Sequence, residues 1–175
     1  MLIMNKKEQK KLIVLIGVPA SGKSTYYEKI KAEYPKHIHW SRDAIVERYA
    51  KHNNVTYSDA YYTYGKEVDD SFKTMSRMIR ESKPNVVISD KTNLLSHGRD
   101  KSFISLKEMG YHITYVFFEM PKESQKQQWY DRVLSRKDKH IAVSILEDMY
   151  KNYVDYVPHG ARVVPDEIIR INTWV

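Results

Sequence analysis

The chain has 175 residues, no cysteine, 42% hydrophobic and 29% charged residues, and a formal net charge of +7. That is enough chain for one domain with its own core, and the composition excludes a disordered polymer, a disulfide scaffold and a thiolate metal site. No apolar stretch is long enough to span a membrane, so no membrane partner is expected, and the lack of cysteine suits a reducing, cytoplasmic setting. The excess of positive charge favours a polyanionic partner, because basic surface raises association with phosphates.

Residues 1–10, with Lys6, Lys7 and Lys10 among them, read as a flexible basic N-terminus and not as a signal peptide. Leu12-Ile13-Val14-Leu15-Ile16 follows and reads as a buried strand. Next comes Gly17-Val18-Pro19-Ala20-Ser21-Gly22-Lys23-Ser24, which fills every fixed position of G-x-x-x-x-G-K-[ST]. A helical pattern runs from Lys23 to about Tyr34. Strand, Gly-rich loop and helix together make the phosphate cradle called a P-loop. Gly17 and Gly22 let the backbone curl so that N–H groups face the anion, and the helix N-terminus adds about half a positive charge. Pro19, Ala20, Ser21 and Thr25 complete the nucleotide-binding stretch. Lys23, in a solvated cradle, would reach the β- and γ-phosphates, and the Ser24 hydroxyl would hold Mg²⁺. The expected cofactors are ATP, or another NTP, and Mg²⁺.

The second strand, 37–40, leads into Ser41-Arg42-Asp43. Asp43 reads either as the general base for an acceptor hydroxyl or as the cap of the helix that starts at Ala44. Tyr61, Tyr64, Val68, Phe72, Met75 and Ile79 step by three or four and predict one long helix, stopped by Ser82-Lys83-Pro84. Tyr57, Tyr61, Tyr62 and Tyr64 suit a packing face and also suit base stacking. The third strand, 85–90, ends in Asp90, the layout of a Walker B carboxylate on the Mg²⁺ shell; a cap or turn role is the alternative. A shorter helix ends at Gly110, a fourth strand covers 111–119, and a helix runs from near Pro121 to about Ser135. Arg132 and Arg136 are expected on one face of that helix, either closing over a triphosphate or forming a solvated basic end. A further helix carries Val143, Leu146, Met149, Tyr150 and Tyr153, and a fifth strand covers 168–173. His37 and His39 make no metal set. Strands alternating with helices imply an α/β fold, with a parallel sheet of about five strands flanked by helices and a helical lid. Ligands in such sheets bind beyond the strands' C-terminal ends, where Asp43 and Asp90 also lie.

These motifs resemble the bacteriophage-type 5′-hydroxyl polynucleotide kinases, within the wider P-loop kinases. The resemblance rests on Gly17 to Thr25, on Ser41-Arg42-Asp43, on Ile88-Ser89-Asp90-Lys91-Thr92-Asn93, and on Arg132-Val133-Leu134-Ser135-Arg136 followed by 143–151. It implies a single P-loop kinase domain over 1–175 that transfers the γ-phosphate of ATP to a 5′-hydroxyl end of DNA or RNA. It also implies that Lys23, Asp43 and Arg136 are catalytic: Asp43 as general base, Arg136 as stabiliser of the transition state. Arg132 would join Arg136 on a lid over the phosphates, and Asp90 would support the metal that Ser24 holds. One departure is Val46, which stands where the family often has an arginine for the acceptor strand, with Arg42 and Arg48 as candidate replacements. This keeps open another hydroxyl acceptor: a hydroxymethylated base in DNA, a nucleoside or a small metabolite. A P-loop ATPase acting on a partner is a third reading, against which stands the lack of a glutamate beside Asp90 to position water. The family's D-x-D-G-T motif is absent, so no 3′-phosphatase activity is expected.

Overall fold

The computed structural model describes residues 9–137 and 139–174; the expected basic arm lies, up to residue 8, outside the described residues. Strands β1 (Lys11–Ile16), β2 (Ile38–Trp40), β3 (Val86–Asp90), β4 (His112–Phe118) and β5 (Glu167–Ile171) form one sheet in the order β2-β3-β1-β4-β5. Every pairing is parallel. The α/β reading and the strand count therefore hold, with strand ends shifted by a residue or two.

The central place of β1 explains its unbroken apolar run. Leu12, Val14 and Ile16 join a core with Ile79 of α4 (Gly65–Ser82) and Phe103 and Leu106 of α5 (Ser96–Glu108). Ile13 and Leu15 point the other way, onto Ile30 of α1 (Lys23–Ile30), Val116 and Phe118. Each such side chain is worth about 1.5–3 kcal/mol when buried. The strand that ends in the Gly-rich loop is thus anchored on both faces of the sheet.

Beside this frame stands a small helical unit. Helix α2 (Arg42–Asn53), α3 (Tyr57–Thr63) and α4 pack around Ile45, Val46, Ala60 and Val68. The single long helix expected from Tyr61 onward is instead two. Tyr64 leaves the helical region at φ −109°, ψ 22°, ahead of Gly65, a residue of weak helix propensity. The break lets α3 and α4 pack separately on α2. Helix α4 does stop where expected, with Lys83 left-handed at φ 48° before Pro84.

A 3₁₀ turn (Glu123–Gln125) leads into α6 (Lys126–Leu134), and α7 (Val143–Asn152) follows. Helix α6 ends one residue before the expected limit: its cap Ser135 still donates its N–H to the Asp131 carbonyl, but the Arg136 N–H turns to the Val133 carbonyl at 3.3 Å and does not continue the ladder. Arg136 therefore lies beyond the helix, and the shared helical face expected for Arg132 and Arg136 does not form. No helix among the described residues is long and apolar enough to cross a membrane.

Candidate active site

The Gly-rich loop is shaped by contacts that tolerate little change. A Cβ on Gly17 would lie 2.7 Å from Ser21 Oγ and 2.8 Å from Phe118 Cβ, so only glycine fits there. Gly22, at φ 97°, turns the chain into α1. Ala20 also sits at positive φ, 61°. For a residue with a Cβ that conformation costs on the order of 1–3 kcal/mol, and surrounding contacts must hold it.

Those contacts come from far along the chain. Trp129 of α6 donates its indole N–H to the Pro19 carbonyl at 2.8 Å, and the Thr173 hydroxyl donates to the Ser21 carbonyl at 2.9 Å. Val18 is buried with Trp129, Val133, Leu146 and Trp174. The Asn93 side-chain amide donates to the Leu15 carbonyl at 2.9 Å, and Gly17 N–H donates to the Thr92 carbonyl at 3.0 Å. Trp129, Thr173 and Trp174 carry no local signal for this role, since what they touch is more than a hundred residues upstream in the first two cases.

Lys23 follows the loop at the first position of α1. Its ammonium donates to the Gly17 and Val18 carbonyls at 2.7 and 2.8 Å. It is thus folded onto the loop rather than free in solvent as expected. Burial lowers its pKa to about 8; the carboxylates of Asp90 and Asp43 oppose that shift, and the cations of Arg136 and Lys139 add to it. Two carboxylates and two cations from three separate segments therefore act on the same ammonium.

The sequence of residues 12–155 matches the AAA domain family AAA_33. The chain belongs to that family. Its fold resembles Chaetomium thermophilum Kti12 in complex with ADP-AlF3, at TM-score 0.61 and 16% identity over 93% of this chain and 89% of that one. It also resembles a fungal RNA kinase (TM-score 0.57, 16% identity), over 93% of this chain but 38% of that one. A third is the shikimate kinase of Aquifex aeolicus (TM-score 0.51, 18% identity), over 91% of this chain and 86% of that one. At such identities the likeness is one of fold, and the fold is that of the P-loop kinases.

In this AAA domain the mouth of β2 supplies Asp43. The helix cap is not Asp43 but Ser41, whose hydroxyl accepts from the Ala44 N–H at 3.2 Å. Asp43 sits in the first turn of α2 with its carboxylate engaged elsewhere. Its Oδ1 accepts from the Tyr57 hydroxyl at 2.8 Å, and its Oδ2 lies 3.5 Å from Lys139 Nζ. Lys139 also pairs with Glu47 at 3.1 Å and sits 4.3 Å from the centre of the Tyr57 ring. Lys139 escaped the sequence reading, which weighed the basic run only through its arginines. Its ammonium ties the segment after α6 to the Asp43 side of the cleft.

Asp90 closes β3 beside β1, opposite Leu15 in register. Its Oδ2 lies 3.3 Å from His39 Nε2, and the His39 ring stacks on Tyr27 of α1 at 3.9 Å. Ser24 is exposed in the first turn of α1. The hydroxyl of Ser24 and the carboxylate of Asp90 are hard oxygen donors of the kind Mg²⁺ takes, the rest of its shell coming from phosphates and water. The donor set fits that ion.

The two arginines differ. Arg132 donates to the Thr173 carbonyl at 3.3 Å and lies 4.6 Å over the Trp174 ring, so it braces the C-terminal segment that braces the loop. Arg136 is half-buried, with no hydrogen-bond acceptor for its guanidinium among the described residues, and its charge acts on Lys23. Lys91, next to Asp90, is enclosed by the rings of Trp40, Phe72 and Phe103 at 4.9–5.6 Å, and burial lowers its pKa to about 8. It lines a groove of about 420 Å³ with Leu95, Ser102, Ile145 and Met149.

Proposed function

We propose that this AAA domain is one kinase unit that transfers the γ-phosphoryl group of ATP to the 5′-hydroxyl end of a DNA or RNA strand. The observation that carries this reading is the Gly-rich loop with the Lys23 ammonium folded on its Gly17 and Val18 carbonyls, flanked by Asp90 at the end of β3 and by Asp43 held by Tyr57 and Lys139. In the reaction the acceptor oxygen bonds to the γ-phosphorus while the bond to the β–γ bridging oxygen breaks, and ADP leaves. The hydroxyl proton passes to the Asp43 carboxylate, which Tyr57 and Lys139 hold in place. Gly17 to Thr25 cradle the phosphates. Lys23 exchanges its two carbonyl partners for phosphate oxygens, and Arg136 meets the charge on the transferring group. A Mg²⁺ held by Ser24 and Asp90 would neutralise charge on the β- and γ-oxygens.

A polynucleotide acceptor is supported by the net charge of +7, which attracts phosphodiester chains. Val46 favours a second reading, a small hydroxyl acceptor, because it is fully buried and puts no cation at its position. Labelled phosphate transfer to 5′-hydroxyl oligonucleotides, to DNA with hydroxymethylated bases, and to free nucleosides separates the two. Transfer to oligonucleotide ends is expected; transfer only to nucleosides or internal bases moves the assignment to the second reading. ATP turnover that needs no acceptor would instead mark a hydrolase.

Lys23 also predicts a pH dependence. Without nucleotide its pKa is about 8, and phosphate oxygens favour the charged form. Nucleotide binding above pH 8 is then accompanied by proton uptake, and affinity falls as pH rises past 8, by up to about tenfold per unit. Calorimetry in buffers of different ionisation heat reads the uptake directly. Affinity and heat that are flat across this range would show that Lys23 does not titrate on binding.

A further inference from the structure

Beside Asp43 the short helix α3 presents a row of aromatic rings whose outer members, Tyr61 and Tyr62, core packing does not account for. The first, Tyr57, donates its hydroxyl to Asp43 and packs on the small core of the helical unit. Its ring stacks toward Tyr61, with centres 6.3 Å apart at 25°. Tyr61 meets Tyr62 at 83°, centres 5.4 Å apart, so the two rings form a corner. The Arg42 guanidinium lies 4.9 Å over the Tyr61 ring and is fixed there by Asp69 at 2.8 Å. Tyr61 is 42% exposed and Tyr62 78% exposed, and neither belongs to the core around Ile45 and Val68. The row thus begins at the candidate base and ends in open solvent.

The geometry points to a stacking platform for the acceptor: a single-stranded 5′ end whose terminal hydroxyl lies at Asp43 and whose first bases lie on the Arg42 guanidinium that covers Tyr61 and on Tyr62. This rests on the reading of Asp43 as the base that activates a 5′-hydroxyl. Every nucleobase offers a π-face, so such a platform binds strands of any sequence. Arg42 adds a cation beside the rings, which suits bases and phosphodiesters alike. Lys139 already covers Tyr57 and Arg42 lies over Tyr61, which leaves Tyr62 as the ring with an open face. A sugar or polyol has no π-face to place there. A lone nucleoside at Asp43 stops short of Tyr62, two ring-to-ring steps beyond Tyr57.

The test compares KM for a nucleoside 3′-monophosphate, a 5′-hydroxyl pentanucleotide, and pentanucleotides with one abasic residue at position 1, 2 or 3. Each is run with the wild-type protein and with Tyr62→Ser, Tyr61→Ala and Tyr62→Trp, alongside KM for ATP and a circular-dichroism melt. Stacking on an aromatic side chain is worth about 1–3 kcal/mol per base, which is about 5- to 150-fold in affinity. KM for the pentanucleotide is expected to rise by that factor in Tyr62→Ser, and for the wild type with an abasic residue in the first positions. KM for ATP should not change, and Tyr62→Trp should bind as the wild type does. If Tyr61→Ala fails to fold, Tyr62→Ser and the abasic acceptors still decide. Pentanucleotide phosphorylation with KM indifferent to Tyr62→Ser and to abasic residues overturns the platform and leaves the proposed activity standing. Transfer to no 5′-hydroxyl strand at all overturns that activity, and the platform with it.

Discussion

Asp43→Asn is expected to keep ATP affinity and melting temperature and to lose about 10²–10⁴-fold in kcat, the usual worth of general-base assistance. The substitution is informative because the structure separates the two roles the sequence allows for this residue. A cap would be an oxygen accepting from the first turn of α2, and Ser41 already supplies it to Ala44. An asparagine carbonyl can still accept the Tyr57 hydroxyl that Asp43 Oδ1 accepts now. What the amide cannot do is take a proton from an attacking hydroxyl. The lost ion pair with Lys139 is a small structural matter, since Asp43 is 60% exposed and Lys139 keeps Glu47. The check is kcat at saturating ATP and acceptor, with ATP binding measured separately. An Asp43→Asn protein as fast as the wild type would send the search for the base elsewhere in the cleft.

The parts of this site that could be read from sequence are those that are local in the chain. Leu12 to Ser24 is a continuous stretch whose strand, loop and helix start form as expected, because β1 is buried on both faces and Gly17 has no room for a Cβ, although α1 stops at Ile30, short of the expected Tyr34. Asp43 and Asp90 could be placed because one follows a strand and the other ends one, and a parallel sheet carries all such strand ends to one edge. What could not be read depends on pairing between distant segments. Trp129 and Thr173 hold loop carbonyls 110 and 152 residues away. Lys139 meets Glu47 across 92 residues. Nothing in the neighbourhood of these residues announces such partners. The helical errors have a different origin. Spacing alone carried one apolar pattern through Tyr64 and another to about Ser135, whereas a single non-helical residue before Gly65 and the turn of the Arg136 N–H to the Val133 carbonyl decided the ends. The second of these matters for function, since it takes Arg136 off the helix that carries Arg132.

That displacement gives the arginine prediction its form. Arg132 has a carbonyl and an aromatic face as partners, so Arg132→Ala should act through the loosening of Thr173 and Trp174. Arg136 has no such ties among the described residues, and its charge acts on Lys23. A guanidinium with no acceptor among the described residues, whose charge disfavours the Lys23 ammonium, is an arrangement that a triphosphate relieves. Arg136→Ala is therefore expected to lower kcat by about 10³–10⁵-fold, the range over which an arginine on a transferring phosphoryl group acts. Arg136→Lys should not restore the rate, because an ammonium lacks the planar fork that bridges two oxygens at once. Lys137 is exposed, and Lys137→Ala should leave kcat within a small factor of the wild type. The three variants are compared at saturating ATP and acceptor in moderate salt. If the segment were only a basic surface, Arg136→Ala and Lys137→Ala would weaken strand binding by similar small amounts that fade with salt. Equal, salt-dependent losses at both positions would remove Arg136 from the catalytic set; a large loss confined to Arg136, unrepaired by lysine, would place its guanidinium on the reacting phosphoryl group.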